Sequence, residues 1–167
     1  MKGKGLLIGG LFMIMSISAQ ATGGLASAEA MFMYNFLRHI EWPQHTSEVF
    51  TIGVFGNTEM QEQLNIYTKN RKVGTRDIRV IKINSASEAQ ACQMVFVPTS
   101  QMGKIDDLKT TIGTSPCLIV GESEGSNEKG ANIEFVIQDS KLKFRIDEEK
   151  SKAQNFLVSR ALIDLAL

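Results

Sequence analysis

Four predicted strands are separated by helix-forming segments along most of this sequence, and this alternation limits the possible folds more than any other feature. The predicted strands span residues 50–55, 76–83, 94–97 and 117–120. Neighbouring parallel strands need long crossovers, usually helices, whereas antiparallel neighbours need only a tight turn. The alternation therefore predicts a largely parallel sheet with right-handed crossovers.

The C-terminal part of the chain departs from this pattern. Residues 132–137 and 141–146 are joined by Asp139-Ser140, which predicts an antiparallel hairpin. Further helices are predicted over residues 27–42 and 148–154 and after Ser159. The 167 residues suit one domain. We therefore predict an α/β fold: a single three-layer, Rossmann-like domain with a largely parallel sheet, a C-terminal β-hairpin and terminal helices.

The first residues have the three-part pattern of a secretory signal peptide. Lys2 and Lys4 give a basic start, residues 5–17 are apolar and uncharged, and small residues follow them. The apolar run is short for a bilayer span, which disfavours the alternative of an uncleaved anchor. We predict a signal peptide over residues 1–21 and a mature domain over residues 22–167. In a Gram-negative host the mature domain would lie in the periplasm, with no direct membrane insertion after cleavage.

The charge balance disfavours two classes of partner. Lys+Arg and Asp+Glu both number 18, and Lys2 and Lys4 belong to the predicted signal peptide, so the mature domain is mildly acidic. Binding to nucleic acid depends on basic residues that contact phosphates. Attraction to anionic membranes likewise needs a polybasic segment. We therefore expect neither a nucleic-acid-binding protein nor a membrane-surface protein.

The sequence carries no recognised catalytic motif. His39 and His45 belong to no nucleophile or metal motif, and the two cysteines and two histidines are too few for a structural zinc site. The glycine spacing of residues 53–56 does not match a dinucleotide-binding fingerprint, and a phosphate-binding Gly-Lys-Ser/Thr loop is missing. We therefore predict a protein that is not an enzyme and that has no cofactor and no metal.

One possible ligand site follows from the predicted topology. In parallel α/β sheets, ligands bind beyond the carboxyl ends of the strands. Small polar residues lie at three of these ends, and the candidate ligand-binding residues are Asn57, Thr58, Thr99, Ser100 and Ser123. The alternative is that Thr58 and Ser100 only cap the helices that follow.

The first predicted helix is apolar around most of its circumference, whereas a surface helix has one apolar stripe. Either the helix packs on the sheet, or one side contacts the core and the other a partner chain, since aromatic residues are enriched at interfaces. The candidate partner or dimer interface residues are Tyr34, Arg38, Glu41 and Trp42.

Cys92 and Cys117 are the only cysteines. An even count in a secreted chain favours a disulfide. Both residues lie near the starts of predicted strands, so they would be close if those strands are neighbours. The alternative is two buried thiols.

Several segments carry a resemblance to a known family. Residues 30–43, AMFMYNFLRHIEWP, resemble the opening of YfiR-like proteins, whose first helix carries an aromatic-Tyr-Asn-Phe run and ends in Trp-Pro. The other similar segments are FTIGVFG (50–56), ACQMVFVP (91–98), PCLIVGES (116–123), GANIEFVI (130–137), LKFRID (142–147) and ALIDLAL (161–167).

This resemblance implies a regulatory binding protein rather than a catalyst. Family members are small periplasmic α/β proteins, similar to a repressor of an inner-membrane diguanylate cyclase. The expected partner is the periplasmic domain of an inner-membrane signalling protein, and the expected result is less cyclic-di-GMP. The resemblance also implies a homodimer and disulfides. The alternatives are a periplasmic small-ligand-binding accessory module for a receptor or transporter, and a structural envelope protein.

The sequence departs from the family pattern at its cysteines. A family cysteine in the first strand corresponds to Gly53, so the usual partner of Cys92 is missing, and Cys117 is unusual. A basic residue and a histidine of the repressor correspond to Leu157 and Ser159, so roles of those groups do not transfer.

Overall fold

The computed structural model describes residues 22–43, 47–113 and 115–167. The predicted signal peptide and His45 lie outside these residues. The described chain has a mixed α/β fold with a largely parallel seven-stranded sheet and helices. The strands are β1 (Ile40–Glu41), β2 (Val49–Phe55), β3 (Lys72–Val73), β4 (Arg76–Ile83), β5 (Met94–Val97), β6 (Leu118–Gly121), β7 (Ile133–Gln138), β8 (Lys141–Ile146) and β9 (Leu157–Val158). The α-helices are α1 (Thr22–His39), α2 (Thr58–Thr68), α3 (Ile105–Ile112), α4 (Ser126–Lys129), α5 (Glu148–Ala153) and α6 (Arg160–Ile163), and 3-10 helices span Ala86–Ala91 and Thr99–Lys104.

The strand order of the large sheet is β3-β4-β2-β5-β6-β7-β8. Strands β4, β2, β5, β6 and β7 are parallel, and β3 and β8 are antiparallel at the two edges. The predicted parallel core is therefore confirmed. The predicted hairpin is also confirmed as β7–β8, and its turn residues Asp139 and Ser140 have φ values of 51° and 58°. Asx and Ser side chains suit such turns because they tolerate left-handed angles better than branched residues do.

Apolar side chains project from both faces of this sheet. Because successive strand residues point to opposite faces, Ile52 and Val54 join one apolar cluster with α1 and α2, while Val95 and Val97 join another with α3. Strands β2, β5 and β6 read as nearly continuous apolar runs because helices cover both faces.

Helix α1 differs from the prediction at both ends. It begins at Thr22, so Ser27 lies inside the helix rather than at its cap, and the Ser27 hydroxyl is 3.3 Å from that of Tyr67. The helix ends at His39 instead of residue 42, because Ile40–Glu41 forms an antiparallel pair with β9. The pairing with β9 is a contact between distant parts of the chain, and the prediction from local sequence missed it.

The segment from Glu122 to Gly130 is packed rather than flexible. The Gly, Ser and charged residues of this segment predict a flexible stretch from the sequence alone. It contains helix α4, its Ser126 is buried, and the Asn127 amide donates to Glu134 Oε2 at 3.0 Å. The Glu124 carboxylate also pairs with Arg145 at 2.6 Å. The expectation of flexibility was wrong because polar contacts, not apolar ones, anchor this segment.

Replacing residues 122–130 with a short Gly-Ser link should therefore destabilise the protein. We expect a loss of roughly 2–4 kcal/mol in the free energy of unfolding, since a buried polar network is removed. Thermal and urea unfolding would measure it, with Glu128→Ala on the exposed side of α4 as the control. A deletion variant as stable as this control would show that the segment contributes nothing.

Candidate functional site

A cavity of about 930 Å³ lies at the amino end of the sheet. Its walls are formed by the end of α1 with β1, by residues 47–48, and by the β3–β4 hairpin over residues 72–76. Cavities of this size accommodate small organic molecules. The order β3-β4-β2 brings the hairpin beside the start of β2, and β1 brings the end of α1 to the same place.

Trp42 is the aromatic residue of this wall. Its ring meets the Phe50 ring edge-on at 4.7 Å and the Phe156 ring at 5.4 Å between centroids. Its Nε1 donates to the Leu37 carbonyl at 3.3 Å. Trp42 is half-buried, so it packs in the apolar core and still exposes part of its ring to the cavity.

Arg76 lines the cavity and contacts the Phe50 ring. Its guanidinium carbon lies 5.0 Å from the centroid of the Phe50 ring. Its Nη1 is buried and makes no hydrogen bond to any residue that the structure describes. Lys72, also in the wall, is already paired with Asp77 at 2.8 Å. Leaving a buried donor unsatisfied is costly, and more so for a charged group.

The structure brings three of the four predicted interface residues together. Arg38, Glu41 and Trp42 all line the cavity, and Arg38 and Glu41 are exposed. Tyr34 is not part of the wall and lies under Arg71, whose guanidinium carbon is 4.2 Å from the ring centroid.

Most apolar side chains of α1 are covered by the chain itself. Phe36 packs against Phe135 and Phe144, at 6.0 Å and 5.1 Å between ring centroids. Met31, which is 40% exposed, is an exception. Packing within the domain therefore accounts for most of the apolar circumference that suggested a partner.

The polar residues at the carboxyl ends of the strands mostly serve the fold. Asn57, not Thr58, caps α2, because its Oδ1 accepts from the Met60 amide at 3.1 Å. The Ser123 hydroxyl donates to the Met102 sulfur at 3.4 Å. Thr58, Thr99 and Ser100 are exposed.

Two of these residues have roles that differ from the prediction. The Thr99 amide donates to Glu122 Oε2 at 2.5 Å. Ser100 lies inside a 3-10 helix that follows Pro98, so it does not cap a helix. None of the five candidate ligand-binding residues lines the cavity at the amino end.

Glu29 is a buried carboxyl that our sequence interpretation missed. It lies on α1, is 1% exposed and makes no hydrogen bond within the described part of the chain. Burial raises the pKa of Glu29 from 4.5 to about 8, and the negative charges of Glu122 and Glu59 add to this effect. The sequence signal that could have identified Glu29 is a carboxylate placed among the apolar residues of α1, between Ala26 and Met33.

The raised pKa of Glu29 predicts that stability falls as pH increases. The folded state holds a proton that the unfolded state has lost between pH 4.5 and about 8, so the free energy of unfolding declines through this window. Glu29→Gln should remove that slope and stabilise the protein by roughly 3 kcal/mol at the upper end. Urea unfolding across the window would measure it.

The matched control is Glu62→Gln, because Glu62 is exposed on α2. We expect it to keep the wild-type pH slope. Equal slopes for the Glu29 and Glu62 variants would contradict a proton bound at Glu29.

The two cysteines lie near each other but are not bonded. Strands β5 and β6 are parallel neighbours, with Met94 opposite Leu118. A disulfide between Cys92 and Cys117 requires this neighbourhood. Both thiols are buried in the same apolar cluster, yet both are free in the structure. The expected disulfide is therefore not found, and the alternative of two buried thiols describes this structure.

Burial keeps both thiols protonated. It raises the pKa of Cys92 to about 11, with a smaller effect of the Glu88 charge, and it raises the pKa of Cys117 as well. The Cys92 thiol donates to the Glu88 carbonyl at 3.7 Å. Protonated, buried thiols react slowly with oxidants.

Alkylation should therefore label both cysteines. Protein purified from the periplasm, unfolded without reductant and treated with iodoacetamide, should gain the mass of two labels. A sample reduced before alkylation gives the reference mass. A mass without labels in the unreduced sample would show a bond between Cys92 and Cys117.

The described residues show neither a metal site nor a membrane span. Over residues 22–43, 47–113 and 115–167, no group of three His, Cys, Asp or Glu side chains could hold a metal ion. No helix in these ranges is long and apolar enough to cross a bilayer.

A sequence model of the YfiR/HmsC-like family matches residues 26–167. Among curated proteins, none matches the sequence. The fold is similar to a conserved domain protein of Vibrio cholerae O1 biovar El Tor, with 9% identity and a TM-score of 0.57, covering 84% of this chain and 58% of that one. It is also similar to an ABC domain in complex with L-Trp from Streptococcus pneumoniae, with 11% identity and a TM-score of 0.56, covering 84% and 59%. At these identities the likeness concerns the fold alone, and the chain spans less than two thirds of either protein.

Proposed function

Since this chain belongs to the YfiR/HmsC-like family, we propose that it is a periplasmic regulatory protein that represses a membrane-bound diguanylate cyclase or related sensor through its periplasmic domain. The observation that carries the proposal is the extent of the match, which covers residues 26–167 and so the whole sheet with its helices. Proteins of this family are periplasmic regulators rather than enzymes. In this proposal the domain is a single three-layer, Rossmann-like unit that acts as a homodimer.

We assign partner binding to the α1–β1 surface, defined by Tyr34, Arg38, Glu41 and Trp42. The side chains of Arg38 and Glu41 are exposed and make no ion pair or hydrogen bond with any described residue. Arginine and aromatic residues are enriched at interfaces. Opposite charges beside half-buried rings could pair with complementary charges on a partner, which sets the specificity and the rate of association.

The frame of this surface is held by backbone pairing to a distant part of the chain, which suits a preformed binding site. Strand β1 pairs with β9, and the His39 carbonyl accepts from the Ser159 amide at 2.9 Å. Next to β1 the paired residue Leu157 is 55% exposed, which places an apolar group beside Glu41. A polar rim beside an apolar group is the usual composition of such interfaces.

Trp42→Ala is unsuited to test this surface. The ring packs on both Phe50 and Phe156, so its loss would leave a cavity in the core and cost about 3–5 kcal/mol of stability. Charge reversals at exposed positions test binding without this complication.

We predict that Arg38→Glu and Glu41→Lys each reduce binding to the membrane partner about tenfold, because each places a like charge opposite the partner's group. The tagged protein, purified from the periplasm, would be used to recover partners from solubilised membranes. The cellular readout is cyclic-di-GMP, which should rise when the protein is absent and stay high when either variant replaces it.

The control is Lys129→Glu, an exposed charge reversal on α4. It should recover the partner as the wild type does. Recovery of no membrane signalling protein by the wild type would contradict the proposed function. Equal recovery by all variants would contradict the α1–β1 surface alone.

A further inference from the structure

The large sheet has an open edge along β4. Strand β3 pairs only with the first two residues of β4, Arg76 and Asp77. From Ile78 to Ile83 the outer side of β4 has no neighbouring strand among the described residues. An edge of this kind presents unpaired backbone N–H and C=O groups, and it can act as a template for pairing with another chain.

The hydrogen bonds of the sheet show which backbone groups of β4 point outwards. The Ile83 carbonyl accepts from the Gly56 amide, which follows β2, at 3.0 Å. The backbone groups of Ile83 therefore point towards β2. Because alternate residues of a strand direct these groups to opposite sides, those of Lys82 and Val80 point away from the sheet. No described backbone group bonds to them on that side.

The open part of β4 is accessible and regular. Arg79 and Lys82 are exposed, Ile81 is half-buried and Val80 is 9% exposed. The strand contains no proline, and it pairs with β2 residue for residue, so it has no bulge. Proline and bulges are two of the devices that block an open edge. Charged side chains are another, and their effect depends on what lies opposite them.

An antiparallel pairing of β4 with β4 of a second copy is self-complementary when a two-fold axis passes beside Ile81. In this register Lys82 lies opposite Val80 of the second copy, and Arg79 lies opposite Ile83. Like charges directly opposite each other destabilise an antiparallel pair, and this register avoids them. The outward backbone groups of Val80 and Lys82 then meet and exchange both hydrogen bonds of each pair.

The neighbouring registers are less favourable. An axis beside Arg79 or beside Lys82 would place two like charges directly opposite each other. An axis beside Val80 would bring Ile83 of the second copy opposite Asp77, where Lys72 of β3 already lies. The register at Ile81 is therefore the one that β4 permits.

Arg79 has no partner charge within the described chain. Its side chain is exposed and it forms no ion pair with any described residue. Successive strand residues point to opposite faces, and Ile81 and Ile83 pack against the apolar cluster that contains α3 residues. Arg79 therefore projects from the face that α3 covers.

The register at Ile81 brings an acidic residue to Arg79. The chain continues from Ile83 to Ser85, whose hydroxyl donates to the exposed Glu88 carboxylate at 2.8 Å. Glu88 belongs to the 3-10 helix over Ala86–Ala91, which packs against the same cluster as Ile83. Since Ile83 of the second copy lies opposite Arg79, its Glu88 is on the same face and near the Arg79 guanidinium. The two-fold axis repeats this pair of opposite charges.

We propose that two copies of this chain associate through the open edge of β4, in antiparallel pairing centred on Ile81, so that their sheets become continuous. Arg79 of each copy pairs with Glu88 of the other. The interface is isologous, as a two-fold axis requires. This inference deepens the proposed function, because it names the surface of the homodimer assumed there.

A charge exchange tests the proposed ion pair. Sedimentation equilibrium of the protein purified from the periplasm should show a dimer with a dissociation constant in the micromolar range. Arg79→Glu and Glu88→Arg should each weaken the dimer about tenfold, because each places like charges together. The double variant should recover most of the wild-type affinity. Thermal unfolding shows whether each variant is folded.

A cysteine at the two-fold axis tests the register. Ile81 and its copy form a pair without hydrogen bonds, with a Cα separation of about 4.5 Å, which a disulfide accepts. Ile81→Cys should give a disulfide-linked dimer on mild oxidation. The matched control is Lys82→Cys, which is more exposed but whose Cα atoms would be about 7–8 Å apart. It should crosslink much more slowly.

Three results would overturn the proposal: a monomer at all concentrations, wild-type association of both Arg79→Glu and Glu88→Arg, and crosslinking of Ile81→Cys no faster than that of Lys82→Cys. A dimer that gives the last two results associates through another surface. None of these results concerns the membrane partner, because they use the purified protein alone. The proposed regulation is decided separately, by recovery of a partner from membranes.

Discussion

The packing of Trp42 against Phe50 and Phe156 is the interaction on which this end of the structure depends. It joins three segments that are distant in sequence: the end of α1, the start of β2 and the residues before β9. Each aromatic contact contributes about 0.5–1.5 kcal/mol beyond the burial of its area. The same contact determines where the α1 chain leaves the core and meets β9. The positions of Arg38 and Glu41 on the surface, and the depth of the cavity beside them, follow from it.

Elements with local signals could be predicted from the sequence. Strands β2, β5 and β6 were found because each is a nearly continuous apolar run, and β4 because it alternates and is rich in β-branched residues. The β7–β8 hairpin was found because Asp139 and Ser140 suit a turn with positive φ. The three two-residue strands were missed, since a pair such as Ile40–Glu41 becomes a strand only through a distant partner. Helix α4 was missed because its anchors, such as the bond from Asn127 to Glu134, are polar.

The site was predicted in part for the same reason. Arg38, Glu41 and Trp42 were chosen because they belong to the first predicted helix, whose apolar circumference suggested a partner, and the structure places all three around one cavity. Arg76 was not chosen, because nothing in its neighbourhood in sequence shows that one of its nitrogens is buried without an acceptor. Burial of a single atom results from tertiary packing, which no local pattern encodes.

The cysteines show how the residue at position 53 affects the space around Cys92. In the family pattern, a cysteine in the first strand corresponds to Gly53. Here the missing side chain at Gly53 leaves room for the Cys92 thiol, since a Cβ at this position would be 2.8 Å from its sulfur. Cys117 lies in the same apolar cluster, but the structure has no bond between the two thiols. Proximity of two strands is therefore necessary for a disulfide, while the direction of each side chain decides whether it forms.

Glu29 and Arg76 lie at opposite ends of the sheet, and burial affects the two ionisable groups differently. Glu29 lies near the carboxyl ends of the strands, beside Glu122 and Glu59, and it can become neutral by holding a proton. Arg76 begins β4 at the amino end, and its Nη1 is buried without a hydrogen-bond partner in the described part of the chain. A protonated carboxyl carries no charge, so its burial costs less free energy than the burial of a charged nitrogen without an acceptor.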